Sequence, residues 1–245
     1  MKQGSFTITE NERIAEGVYR MRLSGDASAI TCPGQFINIA LEGKYLRRPI
    51  SVCDWDEWSV TIIYKLLGAG TEQMSAYPIG KTLDVLTGLG NGFDLSDAGE
   101  APLLLGGGVG TPPMYALAKE LLAQGKTVSA VLGFNTAADV FYEDELKALG
   151  VYTIVATADG SYGVRGFVTE PMGTLNYSYF FACGPEPMLK AVWCASTTSG
   201  QLSFEERMGC GFGACMGCTC KTLTGYKRIC RDGPVLRKEE IAWDA

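Results

Sequence analysis

Five of the nine cysteines, Cys210, Cys215, Cys218, Cys220 and Cys230, fall in one glycine-rich segment of a chain that contains no histidine. Cys210-x4-Cys215-x2-Cys218 is the spacing of a plant-type [2Fe–2S] site. Tetrahedral iron takes soft thiolate ligands, and a tight loop must wrap them around the cluster. Gly209, Gly211, Gly213 and Gly217 interleave with the cysteines, freeing the backbone for such a wrap and letting N–H groups point at sulfur. The fourth ligand is open between two residues. Cys220 shares a face with Cys218 on an extended strand, because residues two apart do so; Cys230 follows after eleven more residues.

Two other chemistries compete for these thiols. Structural zinc also uses four cysteines, but usually as two paired knuckles, whereas here the last cysteine stands alone. A redox C-x-x-C at Cys215 and Cys218 leaves Cys210 and the glycines unexplained. The missing histidine excludes more: no Ser-His-Asp or Cys-His catalysis, no Cys₂His₂ finger and no Rieske ligation is available. Chemistry here belongs to cysteines, carboxylates, the backbone or a bound cofactor.

Three glycine-rich loops could approach phosphate. The apolar run 102–105 leads into GGGVGTPP, a strand-to-helix junction containing Gly106, Gly107, Gly108, Gly110 and Thr111. Backbone N–H groups at a helix start favour an anion, and proline suits the first turn. Thr111 stands where the third glycine of G-x-G-x-x-G would fall, so a purely structural turn is the competing reading. GAGT (68–71) leads into a short helix beside RRPIS (47–51), whose arginines are either a solvated pair or one half of a diphosphate clamp. GLGNGF (88–93) closes the first domain.

The elements that must position these groups change character along the chain. Residues 1–98 hold six short strand-like segments (6–8, 18–23, 36–41, 50–53, 59–64 and 83–86) with one short helix at 72–77, which predicts a small antiparallel barrel. From 99 to 200, strands at 102–105, 128–132, 152–156 and 179–183 alternate with helices at 114–123, 143–149 and 187–195, which predicts a parallel sheet with crossover helices. Residues 201–245 carry too little apolar sequence for a core of their own. A length of 245 residues allows two small domains and an appended module. The balance of 21 basic against 27 acidic residues offers nothing to a nucleic-acid backbone. A polar N-terminus, no apolar run of membrane-spanning length and an odd, clustered cysteine set point to a cytoplasmic protein with reduced thiols.

RRPIS, GAGT, GLGNGF, GGGVGTPPM, CGPEPML and above all ERMGCGFGACMGC followed by CRDGPVL resemble one family along nearly the whole chain. These are the electron-transfer subunits of NAD-dependent dihydroorotate dehydrogenases, within the ferredoxin–NADP reductase superfamily. The resemblance implies an FAD-binding barrel (1–98), an NAD-binding α/β domain (99–200) and a C-terminal [2Fe–2S] module (201–245). It assigns Arg48, Pro49, Ile50, Ser51, Ile63, Tyr64, Lys65, Gly70 and Thr71 to FAD. Ile50 stands where the superfamily has a tyrosine stacked on the flavin. Cys183, Gly184 and Pro185 match the position that approaches the nicotinamide, against the alternative of a buried cysteine ending a strand. Cys230 becomes the fourth ligand beside Cys210, Cys215 and Cys218, leaving Cys220 free.

By the same resemblance a partner subunit oxidises dihydroorotate at its FMN, in a heterotetramer of two of each chain, in de novo pyrimidine biosynthesis. Single electrons pass through the cluster to FAD, which reduces NAD⁺. Subunits of ferredoxin–NAD(P) oxidoreductases or sulfide dehydrogenases share this architecture and are the alternative; a zinc-stabilised nucleotide-binding regulator is another class. NAD is expected over NADP because 133–142 has no Lys or Arg for a 2′-phosphate. Asp139 would repel that phosphate or bond a ribose hydroxyl if it faced the site.

Overall fold

A computed structural model describes residues 1–243 of the chain; positions 244–245 of the expected C-terminal module lie outside them. Six strands close an antiparallel barrel: β1 (Lys2–Ala15), β2 (Val18–Ser24), β3 (Phe36–Ile39), β4 (Arg48–Trp55), β5 (Ser59–Lys65) and, after helix α1 (Ala69–Ser75), β6 (Thr82–Leu89). Their order is β1-β2-β5-β4-β3-β6, with β6 returning to β1. Met21 and Leu23 of β2 point into the barrel, with Tyr19 partly buried on the same face, while Arg22 and Ser24 face out, the alternation that fixes strand register.

The second unit begins with β7 (Pro102–Gly107), α2 (Thr111–Ala123), β8 (Ser129–Phe134), α3 (Glu143–Ala148) and β9 (Tyr152–Thr157). It continues through β10 (Val164–Arg165), α4 (Thr169–Met172), β11 (Tyr179–Cys183), α5 (Glu186–Ala195) and β12 (Gly200–Ser203). The cysteine segment then forms the hairpin β13 (Thr219–Thr222) and β14 (Gly225–Arg228), followed by β15 (Val235–Arg237). The large sheet runs β10-β9-β8-β7-β11-β12-β15. Every residue of β7 and β11 is buried, as expected of central parallel strands covered on both faces. β15 joins antiparallel to β12, so the chain beyond the cysteines is stitched back into the nucleotide-domain sheet.

The units share apolar interiors. Val18, Cys53 and Ile63 of the barrel pack in one cluster with Leu104, Met114 and Leu117. Phe36, Leu86 and Leu89 pack in another with Leu103, Cys218, Ile229 and Cys230. Lys119 of α2 meets Asp54 of β4 at 2.6 Å, and the Glu16 N–H donates to the Ala138 carbonyl at 3.1 Å. Among the described residues no helix is long and apolar enough to cross a membrane.

Candidate redox site

The barrel opens a wedge between β4 and β5. Their ladder runs from Trp55↔Val60 to Val52↔Ile62 and stops there. Beyond it Arg48–Ser51 pair only with β3, and Ile63, Tyr64 and Lys65 only with β2. The β4-facing edge of 63–65 therefore has no strand partner, and buried backbone groups of that kind need one. Arg48, Pro49, Ile50 and Ser51 are all half-buried in sequence, where a closed barrel strand would alternate. They line the wedge.

The two arginines of RRPIS divide their work. Arg47 is spent on structure, bonding Asp84 at 2.7 Å and reaching the Asp84 carbonyl at 3.1 Å. Arg48 has no carboxylate partner among the described residues; its Nη1 donates to the Leu46 carbonyl at 2.6 Å. The guanidinium lies against Gly70, where a Cβ would stand 2.2 Å from Nε. A side chain at position 70 would displace the guanidinium from this place beside the wedge. Thr71 closes its own turn, accepting from the Leu67 N–H at 2.9 Å and donating to the Gly68 carbonyl at 3.1 Å.

Three side chains of these segments have partners within the protein. The Tyr64 phenol is in the barrel core, stacked on Tyr19 and donating to Asn11 Oδ1 at 2.9 Å, because an inward strand position carries it there. The Lys65 ammonium turns to Asp139 at 3.5 Å. Buried Tyr64 can therefore meet a ligand only through its main chain. Asp139 is not free for a ribose: its carboxylate also accepts from Thr136 N and Oγ1, each at 3.2 Å, in a capping box.

The nucleotide loop lies where the sheet order reverses. β7 is followed by β8 on one side, while β11 sits on the other, and ligands of such sheets bind at that crevice beyond the strand ends. Cys183 is opposite Gly106 across β11 and β7. Gly108–Gly110 make a 3-10 turn before α2, whose first turn holds Pro112 and Pro113. A Cβ on Gly110 would stand 2.2 Å from the Cys183 carbonyl oxygen, and one on Gly107 would stand 2.3 Å from Met188 Sδ. The loop is thus pressed onto the Cys183-Gly184-Pro185 turn, so its glycines answer a packing demand as well as opening the backbone. Buried Thr111 keeps an Oγ1 with no hydrogen-bond partner. Burial pushes the Cys183 thiol up to about 12, which leaves it neutral near pH 7.

The cysteine loop directs backbone N–H groups at sulfur. Cys210 Sγ accepts from Ala214 at 3.3 Å and from Phe212 and Cys215 at 3.5 Å; Cys215 Sγ accepts from Gly217 at 3.5 Å, and Cys218 Sγ from Cys230 at 3.4 Å. Burial opposes ionisation of Cys210, but these donors outweigh it and hold the thiol down to about 6. Among the described residues no three candidate ligands gather round a single point. The cysteines are instead linked in two pairs, the Cys215 N–H reaching Cys210 Sγ and the Cys230 N–H reaching Cys218 Sγ. Cys220 sits on β13 opposite Lys227, and burial raises its thiol.

Two supports of this loop escaped the sequence reading. Arg228 clamps Asp232 at 2.9 Å and donates to the Gly213 carbonyl at 2.9 Å. Asn91 of GLGNGF exchanges bonds with the main chain of Val235 at 2.8 and 3.1 Å, and its N–H donates to Gly233 at 2.7 Å. That glycine loop docks the C-terminal module; its asparagine at a tight turn was the available signal.

Residues 205–242 match the family model described as the iron-sulfur cluster binding domain of dihydroorotate dehydrogenase B, and residues 104–193 match an oxidoreductase NAD-binding domain. The chain is 43% identical over 255 residues to a protein of Geobacillus sp. (strain WCH70) named dihydroorotate dehydrogenase B (NAD(+)), electron transfer subunit, covering 98% of this chain and 99% of that one. A protein of the same name from Bacillus caldolyticus is 45% identical over 251 residues, covering 96% of each. Among solved structures, an NADH-dependent reduced ferredoxin-NADP oxidoreductase superposes with a TM-score of 0.89 at 31% identity, covering 98% of this chain and 90% of that one.

Proposed function

Because the chain belongs to the family of dihydroorotate dehydrogenase B (NAD⁺) electron-transfer subunits, we propose that it passes electrons from dihydroorotate oxidation to NAD⁺ in pyrimidine biosynthesis, using one [2Fe–2S] cluster, FAD and NAD. The observation that carries this reading is the set of N–H groups aimed at the sulfurs of Cys210, Cys215 and Cys218, which suits anionic sulfur and not a packed thiol. When bound, the cluster carries single electrons and FAD joins two of them with a proton into the hydride that NAD⁺ accepts.

The chain's own residues place these groups. Cys210, Cys215, Cys218 and Cys230 would hold the cluster. Arg48 would face the FAD diphosphate, with Pro49, Ile50, Ser51, Gly70, Thr71 and the main chain of 63–65 along the wedge. Gly106, Gly107, Gly108, Gly110 and Thr111, with Cys183, Gly184 and Pro185, would receive NAD at the sheet crevice. No side-chain acid or base is required, which suits a chain without histidine.

The substrate is oxidised elsewhere, at the FMN of a catalytic partner, in an assembly of two copies of each chain. Support for a docking partner comes from Phe212, Met216, Leu223 and Tyr226, large apolar side chains exposed on and beside the cysteine loop. All nine cysteines are free, in keeping with a reducing cytoplasm. The oxidoreductase relation at 31% identity is weaker than the 43–45% relations and keeps a ferredoxin-linked reductase as the second reading.

Anaerobically purified protein is expected to hold one FAD with about two iron and two labile sulfide per chain. Stoichiometric zinc without labile sulfide would refute the reading.

A further inference from the structure

Asn38 lies between the two redox segments and belongs to neither. It is on β3, paired in register with Pro49 of the flavin segment, and its side chain is 1% exposed. Nδ2 donates to the carbonyl of Cys210 at 3.2 Å. Since a carbonyl only accepts, that bond fixes which way the amide points. Its Oδ1 is buried without any hydrogen-bond partner. On the other side of the contact, Gly211 has φ +79°, and a Cβ there would stand 2.3 Å from Asn38 Nδ2. The backbone of Asn38 is held in turn, its carbonyl accepting from Arg47 Nη1 at 3.4 Å.

A buried amide with an orphaned acceptor is costly in a barrel strand that otherwise reads Phe36, Ile37, Ile39. Packing alone would favour an apolar residue. The donor half of the amide has a use that an apolar residue could not supply, because it ties the first cysteine of the cluster loop to the strand next to Arg48–Ser51.

We propose that Asn38 is the positioning residue of the flavin–cluster junction, fixing Cys210 against the flavin-bearing strands and so setting the exchange of single electrons between the two groups. This rests on the assignment of FAD and cluster given above. Cys210 would hold the group that supplies single electrons, and Arg48–Ser51 would line the site of the group that collects two of them with a proton as hydride for NAD⁺. Asn38 itself is neither oxidised nor protonated. Without its donor, the Cys210–Gly211 turn relaxes and the N–H bonds to Cys210 sulfur weaken. Those bonds favour the extra negative charge of the reduced cluster, so their loss lowers its potential.

The test uses the loaded chain with Asn38→Asp, which keeps the shape but replaces the donor by an acceptor, and Asn38→Ala. Iron and flavin contents are measured first. Reductive titration followed by visible and electron-paramagnetic spectra should show electrons redistributed from cluster to flavin by about tenfold, or about 59 mV for a one-electron couple. In rapid mixing with NADH, flavin bleaching should keep its wild-type rate while cluster reduction slows. If the aspartate variant loses its cluster, Asn38→Ser retains a donor and should show a smaller shift in the same direction. Wild-type electron distribution and cluster reduction in the aspartate variant would overturn the proposal. A wild-type chain lacking flavin or cluster would instead overturn the functional reading beneath it.

Discussion

Cys230→Ser should abolish or strongly alter the cluster's visible and electron-paramagnetic signals, while Cys220→Ser leaves them nearly unchanged. The two cysteines compete for one role, and their surroundings differ. Cys230 is buried in one cluster with Cys218, and its own N–H reaches Cys218 Sγ at 3.4 Å. Two ligands of one iron must approach in this way. Cys220 is on a hairpin strand, partly buried against the cluster that includes Ile229, as a small apolar side chain. Flavin content reports whether either variant has lost its fold. Loss of the cluster in Cys220→Ser with an unchanged Cys230→Ser would move the fourth ligand to the hairpin.

Arg48→Ala should weaken FAD binding by about ten- to a hundredfold, because a hydrogen bond to a charged group is worth about 1.5–3 kcal/mol. Lysine should recover part of this, since it restores charge without the planar fork. Arg47→Ala is the control. Its guanidinium is committed to Asp84 at 2.7 Å, so its loss should lower stability and spare FAD affinity. Equilibrium dialysis of FAD against the three variants separates these outcomes; equal losses from both alanine variants would remove Arg48 from the diphosphate.

Most of the scaffold was legible because its strands are apolar or alternating and bounded by glycine. All six barrel strands, and β7, β8, β9 and β11 of the sheet, fall where the pattern put them. β15 was not legible. Three residues carry no periodicity, and Val235–Arg237 become a strand only by pairing with β12, more than thirty residues earlier. The β13–β14 hairpin was hidden by the dominance of Gly and Cys; its two-residue turn, Leu223-Thr224, lacks the usual Asn-Gly or Asp-Gly signal.

The site was legible where chemistry depends on spacing and illegible where it depends on direction. Cys210, Cys215 and Cys218 stand out by their intervals, and Arg48 by its neighbours. Whether Tyr64 points into the core, or Asp139 turns back on Thr136, depends on strand facing and a local cap that no motif records. Asn38 reads as an ordinary outward polar residue in FINI. Only the folded cysteine loop, arriving from 172 residues away, covers it.

This chain carries electrons between a partner's oxidation of dihydroorotate and NAD⁺. The direct measurement is NADH formation from dihydroorotate and NAD⁺, with the purified chain, with its co-purified catalytic partner, and with the two together. NADH is expected only when both are present, although the chain alone should pass electrons from NADH to a dye. Turnover of dihydroorotate by the single chain, or a reconstituted pair that reduces NAD⁺ only from reduced ferredoxin, would contradict it.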